Sequence, residues 1–407
     1  MQNLTNIFNS QRTFVVLLAA FLISIPLRYG FSTAMLIVLL AASLGSVRYH
    51  KIRFRKAYVI PVLLFVLMIV SLLWTNNVAN SMRGLERQLA LVLIPLAFAL
   101  MPSITARSRN SILYLFAVAI SVMAVFLIAL AAIHFFQFRN LSRFFYHALV
   151  SPMDLNAIYV SVMVSLSGLF LLFTQRKNLI TIGLLLVHAV FLVLLSSKII
   201  IVTTALITTY GIIRSFSKKK IIVMLSILVV GILLLFSTSN PVRDRFEREV
   251  SVSNVKEVME CERFNKVYDW TGTTIRLFQA RIFVEMMDEH DAYLSGFGIN
   301  NSKEKIIEKQ KYYNLWQGYY EYNFHNQYIQ AFAELGIFGL LFVILLLGAL
   351  LKEYIKTRDI LVLSFFLIAA VIFLTETYIW RQRGLYHFLI LYCLLINSDT
   401  LIQNQKK

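Results

Sequence analysis

Apolar stretches, nearly free of charge, recur from end to end of this chain, and most come close to the roughly 20 residues needed to cross a hydrocarbon layer about 30 Å thick. Their approximate limits are 14–28, 31–47, 57–74, 88–101, 111–133, 155–174, 179–195, 199–213, 221–237, 327–351, 359–375 and 384–397. Only 15% of the 407 residues are charged, against about 25% in a soluble domain. The pattern excludes a soluble globular enzyme, a disordered chain and a fibre. It predicts an all-α polytopic membrane protein of about twelve helices, with the first, fourth and twelfth stretches short enough to be tilted or partly re-entrant. The first stretch follows a single Arg and precedes no small-residue cleavage site, so it reads as a retained helix.

The net charge of +18 suggests nucleic acid in a soluble protein, but in a membrane protein it first reports topology. With the N-terminus taken as cytoplasmic, nineteen Lys and Arg fall in inner loops and tails, among them Arg176, Lys406 and Lys407, against three acids including Asp399. Both termini are therefore expected inside, with no nucleic-acid partner. Eight basic residues remain in short outer loops: Arg28, Arg83, Arg87, Arg139, Arg143, Lys198, Arg381 and Arg383. Each reads either as a snorkelling anchor for membrane lipids or as part of an outer basic pocket for a phosphate-bearing ligand.

One connection departs from the rest. Residues 238–326 hold twelve basic and fourteen acidic residues and many tyrosines. They divide the chain into 1–237, a long outer loop domain at 238–326, and 327–407. A loop that long is usually functional or disordered, and its aromatic content argues for a folded, mainly helical cap. Within it, Arg276 opens a helix capped by Thr273 or Thr274, with Leu277, Ala280, Phe283, Val284 and Met287 as its apolar face. The Gly296–Gly298 turn lacks the strand and third glycine of a dinucleotide fingerprint and reads as a close backbone approach.

His325-Asn326-Gln327 stands where polar loop becomes apolar helix. It follows the aromatic run Tyr312, Tyr313, Trp316, Tyr319, Tyr320, Tyr322 and Phe324, which suits an interfacial belt and a sugar-stacking platform equally. Glu334 and Glu376, within or at the end of apolar stretches, are costly there and hence functional candidates. Glu334 is expected to pair with an outer arginine or to position His325. Asp154 and Asn156 read as caps. Cys261 and Cys393 offer no disulfide framework, and no His/Cys cluster has metal-ligand spacing.

The ordered pattern TGTTIRLFQARIFVE, GFGIN and FHNQYIQAFAELGIFGL resembles the O-antigen ligase family of membrane glycosyltransferases, most specifically over residues 270–340. SPMDLNAIYVS from Ser151 is similar to the family's H-P-x-Y segment, with Ser151 in place of His and His147 one turn away. LLSSK resembles its S-R element, with Lys198 keeping the charge but losing the bidentate fork. The resemblance implies transfer of a glycan from undecaprenyl pyrophosphate to an acceptor, usually lipid A–core, on the periplasmic face of the inner membrane, without metal, nucleotide or other cofactor. It implies Arg276 as the main diphosphate ligand, with Lys198, Arg143 and Arg383 as further contacts. His325 would be the general base, and Asn326, Glu334, Tyr322 and Trp316 would support the site or bind the acceptor. A polymerase using a growing glycan as acceptor, a protein-directed transferase, and a lipid-linked glycan transporter are the competing readings.

Overall fold

The computed structural model describes residues 10–173, 177–237 and 240–396; Arg176, Asp399, Lys406 and Lys407, counted above for topology, lie outside the described residues. The described chain is helical, with no strand. A helix occupies each of the twelve apolar stretches, from Gln11–Ser24 to Gln382–Ile396. Five of these helices are long and apolar enough to cross a membrane, or six when the bent pair Tyr146–Met153 and Ala157–Phe173 counts as one span. Four others, Gln11–Ser24, Leu179–Leu194, Ile360–Thr375 and Gln382–Ile396, are apolar but shorter. The fourth stretch forms helix Ala90–Leu100, which a break at Leu89 separates from the preceding polar helix Val78–Gln88.

Helix Ala106–Phe138 has 33 residues, about 50 Å at 1.5 Å per residue, and so exceeds a hydrocarbon layer. Its end is set by Arg139, left-handed at φ 55°, whose N–H closes on the Phe135 carbonyl. Helix Gln382–Ile396 packs against Ala90–Leu100, and every residue from Arg383 to Ile396 is buried. A helix apolar on all sides belongs at the centre of a bundle, and this one is there. At the start of Ala157–Phe173 the Asn156 side chain accepts the Ile158 N–H at 2.8 Å. Asp154 instead makes the left-handed turn before it, at φ 53°.

The long segment supplies helices Pro241–Val252, Val255–Glu260, Gly272–His290 and Ser302–Tyr312. These enclose a second apolar cluster built on Phe264, Ile275, Phe278, Ile282, Met286, Met287, Tyr313, Leu315 and Phe324. Of the expected face of Gly272–His290, Phe283 and Met287 are buried, but the face is shifted: Ile275, Phe278, Ile282 and Met286 also point inward, while Val284 is 48% exposed. Tyr313 and Phe324 sit in this core and Tyr319 and Tyr322 pack against it, so most of the aromatic run is neither belt nor platform. Tyr312 and Trp316 remain exposed.

Two backbone approaches lock this segment to the bundle. The 31-residue helix Gln327–Thr357 is broken at Gly336, at φ 64° and ψ −161°. The Gly296–Gly298 turn lies against the break, with Phe297 N–H donating to Ala333 O and Gly298 N–H to Glu334 O, both at 2.8 Å. A Cβ on Gly336 would stand 2.0 Å from the Leu294 carbonyl oxygen, and one on Gly296 2.5 Å from the Glu334 carbonyl carbon. The turn therefore is the close backbone approach its glycines suggested. Glu334, 2% exposed, completes the joint. It accepts from Gln330 Nε2 at 2.6 Å, Trp380 Nε1 at 2.8 Å, Asn300 N–H at 2.9 Å and Ser302 Oγ at 3.2 Å. These four donors, and neither an outer arginine nor His325, are its partners.

Gly336→Ala should therefore cost at least the ~1–3 kcal/mol of a forced backbone conformation. Gly348→Ala, a helical position with open space around it, should be neutral or gain up to ~1 kcal/mol. Thermal unfolding of both variants in detergent measures the difference; equal melting temperatures would contradict the joint.

Candidate active site

The turn that follows helix Ile360–Thr375 is held from two directions. Helix Gly272–His290 begins one turn before Arg276 because Thr271 and Thr274 cap each other: the Thr271 hydroxyl accepts the Thr274 N–H at 3.2 Å and the Thr274 hydroxyl the Thr271 N–H at 2.8 Å. The cap is thus Thr271, not Thr273 or Thr274. Arg276 then donates Nε to the Thr375 carbonyl at 2.8 Å, Nη1 to the Gly272 carbonyl at 2.8 Å and Nη2 to Glu376 Oε1 at 3.0 Å. The second Glu376 oxygen lies 3.5 Å from His325 Nδ1, an ion-pair distance beyond hydrogen-bond length. Neither ring nitrogen of His325 has a hydrogen-bond partner within the protein.

His325 sits at φ 46°, a left-handed conformation that costs roughly 1–2 kcal/mol for a residue other than glycine. Its neighbours hold it there. Asn323 accepts the His325 N–H at 2.9 Å and donates to the Thr377 hydroxyl at 2.7 Å. Asn326 caps helix Gln327–Thr357 and donates to the Leu374 carbonyl at 3.2 Å, and Gln327 accepts the Ile379 N–H at 2.9 Å. The Tyr322 ring meets the imidazole edge to face at 5.0 Å. The HNQ sequence is therefore a clip on the 374–379 turn, with the imidazole turned toward Glu376.

A groove of about 680 Å³ opens beside this clip, lined by Arg276, Thr375, Lys198, Arg245, Arg248, Glu249 and Trp270, among others. Its apolar wall includes Ile158, Ile199 and Val202 from two apolar helices. Lys198 starts helix Lys198–Ser215 after a left-handed Ser196. It ion-pairs with Glu249 and donates to the Arg245 carbonyl at 3.2 Å. Glu249 also accepts the Thr273 N–H at 2.5 Å. Burial pushes the Glu249 carboxyl up, but the bonds from Lys198 and Thr273 outweigh it and hold it down at about 2. The Arg245 guanidinium lies over the Tyr146 ring, 3.4 Å from its centroid, and Arg248 pairs with Asp269.

The structure thus brings Lys198 and Arg276 into one groove, with His325 joined to Arg276 through Glu376. Tyr322 and Asn326, also expected, lie beside His325, whereas Arg383, Arg143, Trp316 and Glu334 stand elsewhere. Arg383 donates to the Asp154 carbonyl at 2.6 Å and the Leu27 carbonyl at 3.0 Å and stacks on Tyr29. Arg143 lies in the Leu141–Phe144 turn and is absent from the lining, as is Trp316. Glu334 is the joint described above. Arg245, Arg248 and Glu249 were missed, although their i, i+3, i+4 spacing puts them on one side of the helix that follows an apolar stretch.

Comparison with known sequences bears on part of the chain. Residues 182–344 match the family model described as O-Antigen ligase. This is the family the motifs resemble, and the match spans Lys198, the Pro241–Val252 helix, Arg276 and His325, stopping short of Glu376. No curated protein matches the chain.

Among the groups beside the groove, the Glu376 carboxyl is also held low. Burial alone would raise it, but His325 and Arg276 prevail. A lowered folded value means stabilisation present above the ordinary carboxylate range and lost as pH falls through the folded value. Glu376→Gln should lower stability at pH 7 by ~3 kcal/mol, as expected for breaking a buried pair, and should flatten the loss of stability on acidification. Melting curves in detergent at several pH values test this; an acid dependence equal to that of the wild type would contradict it.

Proposed function

We propose that this protein transfers a glycan from undecaprenyl pyrophosphate to an acceptor hydroxyl, with lipid A–core as the acceptor. The observation that carries the reading is the Arg276–Glu376–His325 contact at the edge of a groove that also holds Lys198. In this reading the twelve apolar helices span or enter the inner membrane with both termini cytoplasmic, and residues 238–326 form a periplasmic cap domain.

The donor diphosphate lies in the groove against Lys198 and Arg276. Breaking the bond between the anomeric carbon and the phosphate oxygen leaves charge on the diphosphate, and fixed cations stabilise that charge as it develops. The acceptor oxygen attacks the anomeric carbon on the opposite face and forms the new glycosidic bond. His325 takes the acceptor's proton, and Glu376 steadies the resulting imidazolium, as a carboxylate does for a histidine base. Lipid pyrophosphate leaves as the second product. The apolar wall of Ile158, Ile199 and Val202 suits the prenyl chain beside its charged head. Three hydrogen bonds donated by Arg276 fix its plane, so the guanidinium enters the reaction already oriented.

Purified variants assayed for glycan transfer test the assignment. His325→Ala should lower turnover by ~10²–10⁴-fold, the usual worth of a general base, and Arg276→Ala by ~10²–10³-fold, as for loss of a charge-stabilising donor. Lys198→Ala should raise the donor concentration needed, whereas Lys198→Arg should be tolerated. Transfer at the wild-type rate by His325→Ala would overturn the base assignment. An unchanged donor dependence in Lys198→Ala would remove Lys198 from the donor site.

A further inference from the structure

Glu249 has no part in the transfer just described, yet its carboxylate lies in the groove against Lys198 and the start of the Arg276 helix. One oxygen is ion-paired with Lys198, and the other accepts the Thr273 N–H at the start of helix Gly272–His290. A Cβ on Gly272 would lie 3.2 Å from Arg276 Nη1 and 3.6 Å from Glu249 Oε2, so guanidinium and carboxylate face the same space. A cation, an N–H at a helix start that no helical carbonyl takes, and a neighbouring guanidinium are the partners that a phosphate oxygen takes. We propose that Glu249 is an internal counter-ion holding the phosphate position of this groove, so that only a ligand carrying more than one negative charge displaces it.

The inference rests on reading the groove as a diphosphate site. Its selectivity follows from charge matching. The apolar wall makes the groove accessible to membrane phospholipids, whose phosphodiester carries a single negative charge. Exchanging Glu249 for such a headgroup replaces one monoanion by another on Lys198 and leaves a partly buried carboxylate without its partner, which is unfavourable. A pyrophosphate diester carries two charges and can engage Lys198 and Arg276 together, which offsets the loss of the Glu249 pair. Glu249 thus acts against the commoner, wrong ligand; building a cost into the competing complex is how specificity over a close analogue is obtained.

Binding of inorganic pyrophosphate to the full-length protein in zwitterionic detergent tests this, with and without phosphatidylglycerol in the micelles. Glu249→Gln, which keeps the shape, should bind pyrophosphate at least tenfold more tightly than the wild type. Its binding should fall as phosphatidylglycerol is added, while that of the wild type should not. Glu249→Asp keeps the charge with a shorter reach and should lie between them, and Lys198→Ala combined with Glu249→Gln should lose the gain. Equal or weaker pyrophosphate binding by both Glu249 variants, or equal competition by phosphatidylglycerol in wild type and Glu249→Gln, would overturn the proposal. Because the readout is binding, absent glycan transfer by a protein that shows these binding shifts would count against the proposed reaction alone.

Discussion

A single buried carboxylate holds together three parts of the chain that are distant in sequence. Glu376, 5% exposed, meets Arg276 from the long segment and His325 from the start of the broken helix. A charge in that position is tolerable only when paired. Its pairing therefore fixes how the Gly272–His290 helix sits on the bundle and where the imidazole points. Helix Ile360–Thr375 is anchored at its far end as well, where Asp359 caps it and pairs with Arg109 at 2.9 Å. The turn bearing Glu376 is thus delivered by an element restrained at both ends, and the groove wall at Thr375 moves with it.

The strain at His325 belongs to the same arrangement. Its left-handed backbone is unfavourable alone and persists because Asn323, Asn326 and Gln327 bond to the 374–379 turn on either side of it. The Gly336 break has a comparable role nearby. It lets the Gly296–Gly298 turn reach the helix backbone, and Glu334 seals the joint with four accepted hydrogen bonds. The Glu376 pairs thus set the site together with side chains bonded to the 374–379 turn and the backbone contacts at Gly336.

Much of this was legible in the sequence for simple reasons. Apolar stretches bounded by charge can only be helices in a setting without water, and each proved helical. Gly296 and Gly298 announced a close backbone approach, and the polar HNQ marked where loop becomes apolar helix. What stayed hidden depended on partners far along the chain. The inward face of Gly272–His290 is chosen by Phe264, Tyr313 and Phe324 packing on it, and no periodicity within the helix reveals them. The aromatic run looked like a surface because nothing local showed that it closes a core. Arg383 looked like a free cation because the carbonyls of Asp154 and Leu27 that bind it come from the other end of the chain. Glu249 was one acid among fourteen until the fold set it against Lys198.

The central claim is that this site makes a bond. Purified wild-type protein in detergent, given undecaprenyl pyrophosphate-linked glycan and lipid A–core, should yield glycosylated lipid A–core and undecaprenyl pyrophosphate in equal amounts by mass spectrometry. Recovery of the donor intact, with no glycan on the acceptor, would contradict the account and leave a protein that binds or moves lipid-linked glycan without chemistry.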